Sequence, residues 1–349
     1  MKKIVLLAAF GLFWTSCDKN NDGTTQKDYS AVLSDITTKV IVPTYASLYQ
    51  KTQALLTALT LLEQNPNSVN LENARQAWRD TRAPWEQSEG FLFGPVEQQG
   101  IDPSLDSWPV NQPDLDNVLN SSQTLNKAYI DQLSGTLKGS HTLEYLLFGL
   151  DANKQISDFT PRQYEYLRAA AEAYNGDAQR LYEGWISTGG NYAVHLIEAG
   201  KAGNLYYPSQ KSGLQEILNG MITIADEVAN GKIQEPFIQQ NLTLEESRFS
   251  ANSKADFANN IRSIQNAYTG LYNNVQGEGI SKVIADKNAE LNTRILQQIQ
   301  TAINAVENIQ GTFTDAVTNA RPSIENAQIE VRNLLQILQD EAQQVINGL

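Results

Sequence analysis

Apolar residues recur at helical spacing through almost the whole chain, and this periodicity limits the fold more than any other feature. Val32, Ile36 and Val40, then Leu48, Leu55, Leu59 and Leu62, fall on one face of a 3.6-residue repeat, with Pro43 as an expected kink. Tyr164, Leu167, Ala171, Tyr174, Ala178, Leu181 and Trp185 form a second stripe. Leu214, Ile217, Leu218, Met221, Ile224 and Val228 form a third, with Gly231 as its expected stop. Phe257, Ile261, Ile264, Tyr268 and Leu271 follow, and the tail predicts two long helices, roughly 280–309 and 322–346, the second opened by Pro322. No stretch alternates with β-branched enrichment and hairpin turns. The expected fold class is all-α, built as helical bundles. With one cysteine in 349 residues, no intramolecular disulfide can form, so packing must supply the stability. The irregular stretch Ser187 to Asn204 suggests a division into two bundle domains, 28–190 and 191–349.

That cysteine, Cys17, ends a short apolar run. Lys2 and Lys3 precede Ile4 to Trp14, the pattern of an export signal and too short for a membrane span. Thr15-Ser16-Cys17 resembles the lipobox of bacterial lipoproteins, although Trp14 stands where an aliphatic residue is usual. The expectation is a lipoprotein signal peptide over 1–17, lipidation of Cys17, and a polar flexible tether over 18–27. The acidic, Asn-rich start of that tether loosely resembles the surface-export signal of Bacteroidetes lipoproteins. The protein would then sit in the cell envelope, anchored to the outer membrane by its lipid and facing either the surface or the periplasm. An ordinary cleaved signal with an incidental cysteine is the plainer reading. The net charge of -13 argues against a nucleic-acid partner, whose phosphates need Lys and Arg.

Candidate chemistry gathers in two places. The segment Phe93 to Asp116 holds four of the 11 prolines and predicts a long ordered loop or a set of short turns. In GSHTLEYLLFG, His141 and Glu144 share one helix face, while Leu143, Leu146, Leu147 and Leu150 form the core face. Upstream, Glu86 and Glu89 lie three apart after Pro84. That proline would open a helix and set both carboxylates at its positive end. Asp102, Asp106 and Asp114 lie in the Pro-rich segment. One imidazole with several carboxylates suits iron, manganese or zinc. The plain alternative is a surface hydrogen bond for the His-x-x-Glu pair and a solvated face for Glu86 and Glu89.

RQAWRDTRAPWEQSEGFLFGPV, then DSWP, then GSHTLEYLLFG, in that order, resemble the imelysin family. Its Gly-x-His-x-x-Glu marker is matched at Gly139, His141 and Glu144. EESRFSANSKADFANNIRSIQNAYTG, from Glu245 to Gly270, also looks familial, and its start faintly echoes Glu86 to Phe91. The resemblance implies two helical bundles with the marked residues near their interface. It implies either a place among peptidases or a role beside iron-regulated lipoproteins and iron importers. The residues themselves offer no His-Glu-x-x-His pattern and no Gly-x-Ser-x-Gly elbow.

The leading expectation is therefore a metal-binding lipoprotein linked to iron acquisition. It would bind a divalent or ferric ion, iron before zinc, and work with iron-uptake components of the envelope. The expected ligands are His141, Glu144, Glu86, Glu89 and Asp106, supported by Arg82, Ser88, Trp108 and Tyr145. The second expectation is a metal-dependent peptidase with Glu144 as general base and His141 as ligand. The third is a non-enzymatic module that binds a polymer or partner through the aromatic stripe from Tyr164 to Trp185.

Overall fold

The computed structural model describes residues 27–349, so the leader, Cys17 and nearly all of the expected tether lie outside the described residues. The long helices are α1 (Val42–Gln64), α2 (Ser68–Glu86), α3 (Gly139–Phe148), α4 (Pro161–Trp185), α5 (Gln210–Asp226), α6 (Ser253–Thr269), α7 (Ala289–Glu307) and α8 (Arg321–Ile337). The fold is all-α. Among the described residues, β structure is confined to a hairpin pairing Leu271–Tyr272 with Val275–Gln276.

The helix starts follow local chemistry. Asn67, Thr160, Ser209 and Asn288 each accept a backbone N–H of the first turn through the side chain, capping α2, α4, α5 and α7. In the first half, α1 packs on α2 and α4, and α3 packs on α2 and α4. In the second half, α6 packs on α5 and α7, while α8 packs on α5 and α7. α2 and α6 join the halves by packing on each other, and one continuous apolar cluster runs through both. Tyr166, Tyr174 and Trp185 are buried in it, so the aromatic stripe of α4 is core.

Several local expectations are revised. A π-helical turn, Ile36–Ile41, precedes Pro43, and the wider turn leaves the proline at the start of regular α1. Pro84 does not open a helix. It lies in the last turn of α2, where its missing N–H and its ring help to end the helix two residues on. Glu86 is thus at a helix C-terminus, and Glu89 follows in a 3₁₀ turn, Glu89–Phe91. Gly231 is no stop: α5 runs through a π turn, Glu227–Lys232, into Gln234–Gln239. Asn288 splits the first tail helix because its side chain caps Leu291, leaving Ile280–Lys287 and α7. The Pro-rich segment forms short helices, Pro95–Gln98, Asp102–Asp106 and Gln112–Leu119. The irregular stretch near 190 holds a short helix, Ala193–Ile197, and buries Tyr192 and Leu196.

One glycine brings two of these pieces together. Gly139 begins α3 with φ of 76°, and a Cβ there would stand 2.5 Å from the Leu105 carbonyl oxygen and 2.7 Å from that of Ser104. This close approach sets the start of α3 against Asp102–Asp106, and with it His141 against Asp106. Gly139→Ala should lower unfolding stability by about 1–3 kcal/mol or more, from strain and clash together. Gly100→Ala is the control, with φ of 59° but nothing within 4 Å, so it carries the strain alone. Denaturant melts of both variants check this, and equal losses would remove the steric argument.

Candidate functional site

A fully buried guanidinium organises the interior where α2 meets α6. Arg82 pairs with Glu86 one turn along α2, with Asp106 at the end of its short helix, with Glu246 at 3.1 Å, and with Asp256 of α6 at 3.4 Å. It also donates to the Ser140 hydroxyl at 2.8 Å. Lys232, carried inward by the π turn after α5, lies 2.8 Å from Glu89, 3.0 Å from Glu246 and 3.5 Å from Glu86. Asn260, one turn after Asp256, donates to Glu86 at 2.5 Å and Glu89 at 2.8 Å.

His141 stands at the edge of this network. Its Nδ1 lies 3.1 Å from Glu144 Oε2. The other oxygen of Glu144 accepts both the backbone N–H and the hydroxyl of Ser250, each at 2.8 Å. Nε2 of His141 lies 3.3 Å from Asp106 and 3.7 Å from Glu246, yet it has no hydrogen-bond partner of acceptable geometry among the described residues. A cleft of about 270 Å³ opens on His141 and Glu144, walled by Trp108, Pro109, Val110 and Phe249.

The charges do not balance. Glu86, Glu89, Asp106, Glu144, Glu245, Glu246 and Asp256 are all buried, against the fixed cations Arg82 and Lys232. Burial drives Glu86 and Glu89 well above the ordinary carboxylate range, and takes Asp256 up to about 6 and Glu245 up to about 7. Burial also opposes ionisation of Asp106, but the adjacent Arg82 and His141 outweigh it and hold Asp106 well below its usual value. For Glu246, Lys232, His141 and Arg82 together overcome the same burial penalty. Burial alone would discharge His141, but Asp106 reverses that and raises its pKa well above the ordinary value.

Of the residues expected from sequence, Arg82, Glu86, Glu89, Asp106, His141 and Glu144 converge here. The Trp108 ring lies 6.0 Å from the imidazole and donates its indole N–H to the Leu244 carbonyl. Ser88 instead donates to the Trp85 carbonyl and closes the turn between Glu86 and Glu89. Tyr145 packs on Phe249, with ring centres 5.1 Å apart. Asp102 and Asp114 stay exposed. His195 is stacked on Tyr206 and takes no part in the network.

Sequence reasoning missed Glu246, Asp256, Asn260, Lys232 and Glu245. The segment Glu245 to Gly270 carried a signal in its Asp256/Asn260 pair at one-turn spacing, although α2 as its partner is not visible in one dimension. Lys232 gave no signal.

Arg82→Leu should be severely destabilising, about 3–5 kcal/mol, because it strands buried carboxylates. In the metal-free wild type, Glu245 and Asp256 bind protons more tightly folded than unfolded. The stability they confer is full below their unfolded values of 4.5 and 3.8 and is lost as pH rises through about 7 and about 6. Urea melts in chelator between pH 4 and 7.5 should show this decline for those groups, with Glu245→Gln reducing its upper part. A slope unchanged by that substitution would refute the assignment.

Comparison with known proteins adds a separate line. A family model described as imelysin matches residues 41–343. Iron-regulated protein A of Synechococcus elongatus is 30% identical over 271 residues, covering 77% of this chain and 72% of that one. A crystal structure from Parabacteroides distasonis, named as a candidate iron-regulated protein A precursor, aligns with a TM-score of 0.81 at 27% identity, covering 91% of this chain and 94% of that one. An imelysin-like protein from Psychrobacter arcticum shares the fold, with a TM-score of 0.75 at 13% identity over 91% and 95% of the two chains.

Proposed function

The chain belongs to the imelysin family, and from that premise we propose that it is a cell-envelope lipoprotein that binds a metal ion in the service of iron acquisition. One observation carries the metal: donor atoms of Asp106, His141 and Glu246 all lie within 4.8 Å of one another, and the imidazole nitrogen among them has no hydrogen-bond partner among the described residues. An N,O,O donor set suits iron, manganese or zinc, and the surplus of buried carboxylates favours any added positive charge. Glu144 grips Nδ1 and leaves Nε2 free, the arrangement in which a carboxylate orients a ligating histidine. Glu86, Glu89 and Asp106 form an adjoining carboxylate group that shares Asp106. Iron is favoured because the Synechococcus relative is named for iron regulation. The bound ion would supply Lewis acidity and charge compensation, while Arg82 and Lys232 hold the carboxylates in place.

The cleft at His141 and Glu144 supports a second reading, metal-dependent peptide hydrolysis. Against it, both oxygens of Glu144 already accept hydrogen bonds or face His141, through Ser250 and Nδ1, and the other carboxyl lining the cleft, Glu245, is held by Ser253 and Thr314. Chelator-sensitive turnover of a fluorogenic peptide library would restore this reading.

Titration calorimetry with ferrous, ferric and zinc ions should show binding well below millimolar. Glu144→Gln should weaken it about 10–100-fold, and His141→Ala with Glu246→Gln should abolish it. Affinity should fall between pH 7.5 and 5.5, since the ligands must give up protons. Metal at about 100 times its Kd should stabilise the fold by about 2.7 kcal/mol. Heats unchanged by the double substitution would sink the site.

Lipidation makes a separate prediction. Each buried CH₂ contributes about 0.8 kcal/mol and stable anchoring needs more than one chain, while the acidic body is repelled by anionic headgroups. Cys17→Ser should therefore move the protein from the membrane to the soluble fraction. Equal retention of both forms would refute the anchor.

A further inference from the structure

The most exposed large apolar side chain among the described residues is Leu205, 93% exposed, and its neighbour Tyr206 is 52% exposed. Both stand at the tip of a loop closed at its base by a hydrogen bond from the Gly200 N–H to the Tyr207 carbonyl, 2.9 Å. The loop is braced rather than loose. Asn204 accepts the backbone N–H groups of Tyr206 and Tyr207 at 3.1 and 3.0 Å and donates to the His195 carbonyl at 2.7 Å. Tyr206 stacks on His195 with ring centres 4.0 Å apart, and Tyr207 bonds the hydroxyl of Tyr192 at 2.9 Å. A leucine held in water on a stiff, aromatic-backed support has no packing role among the described residues.

The place of the loop says what it meets. Lys27 and Asp28, where the described chain begins, share a surface cleft with Gly200, Pro208, Ser209 and Gln210 at the base of the loop. Gln210 ties the two segments together, accepting the Tyr29 N–H at 2.8 Å and donating to Asp28 at 2.7 Å. Nine residues, ten Cα-to-Cα steps, separate Cys17 from Lys27. Whatever their conformation, they cannot span more than about 35 Å. A lipid at Cys17 would therefore hold this loop near the membrane surface.

We propose that Leu205 and Tyr206 form a second membrane contact, an apolar and aromatic tip that enters the headgroup layer beside the N-terminal lipid and sets the orientation of the body. The inference rests on lipidation at Cys17. Tyrosine suits the interface, with its ring toward the acyl chains and its hydroxyl toward water. The lysines beside the loop are paired, Lys201 with Glu198 at 3.3 Å and Lys27 with Asp286 at 2.5 Å, and the chain as a whole carries -13, so the contact proposed is apolar rather than electrostatic. One leucine and one tyrosine add too little for binding without the lipid, and they act by orientation once it is in place.

The test uses the full lipidated chain in phosphatidylethanolamine–phosphatidylglycerol vesicles. Ala202→Cys places a thiol on the exposed loop tip, leaves Leu205 and Tyr206 intact, and is the only free thiol once Cys17 is acylated. An environment-sensitive fluorophore there should shift to the blue. A tip lying about 5–10 Å into the interface should be quenched by lipid carrying a shallow doxyl group, and less by lipid carrying a deep one. Adding Leu205→Asp and Tyr206→Asp should abolish shift and quenching while the protein still floats with vesicles. Flotation without shift or quenching leaves the anchor standing and overturns the tip contact. Quenching that survives the double aspartate change also overturns it. Failure of the parent to float, matching Cys17→Ser, removes the anchor and the tip contact together.

Discussion

The buried guanidinium of Arg82 is the interaction on which the interior depends. It reaches carboxylates from its own helix, from the short helix ending at Asp106, from the turn at Glu246 and from α6 at Asp256. Apart from α2, which carries Arg82 itself, each of these segments taken alone would bury an acid without this counter-charge, at a cost of several kcal/mol per ion. Gathered around one planar, five-donor cation, those costs partly cancel. The interface of α2 and α6 is thus selected by charge as well as by apolar packing, since a shift of either helix strands a charge.

Arg82 and Lys232 do not finish the compensation. Five buried carboxylates, Glu86, Glu89, Asp106, Glu246 and Asp256, pair with those two cations, and Glu144 and Glu245 are buried without either, so the interior accepts further positive charge as protons or as metal. The two uses compete, because raised carboxylate pKa values and metal affinity draw on the same oxygens. That competition links the stability of the fold to the occupancy of the proposed site. It also explains why His141, whose Nε2 faces Asp106 and Glu246, is held on its other side by Glu144 and Ser250. The imidazole is fixed in direction before anything binds.

Backbone irregularities do much of the positioning. The π turn after α5 points Lys232 inward, Pro84 ends α2 so that Glu86 and Glu89 lie on successive turns, and Gly139 lets α3 touch the Asp102–Asp106 helix. Each is a local departure from regular helix at a residue of the network, as expected where a fold must aim side chains rather than only bury them.

The sequence by itself determined the all-α class, the core stripes and the positions of His141, Glu144, Glu86, Glu89 and Asp106 as candidates, because helical periodicity and short-range spacing are written along the chain. It misread Pro84 and Gly231, since the same proline or glycine can open, end or ride within a helix, and packing decides which. Only the tertiary structure decided that Arg82 is the hub and that Glu246, Asp256, Asn260 and Lys232 belong to the same cluster. Those partners lie roughly 150 to 180 positions from Arg82, and a buried ion pair leaves no periodic trace at that range. What assigns them is three-dimensional: a charge removed from water must find its partner wherever the fold brings one.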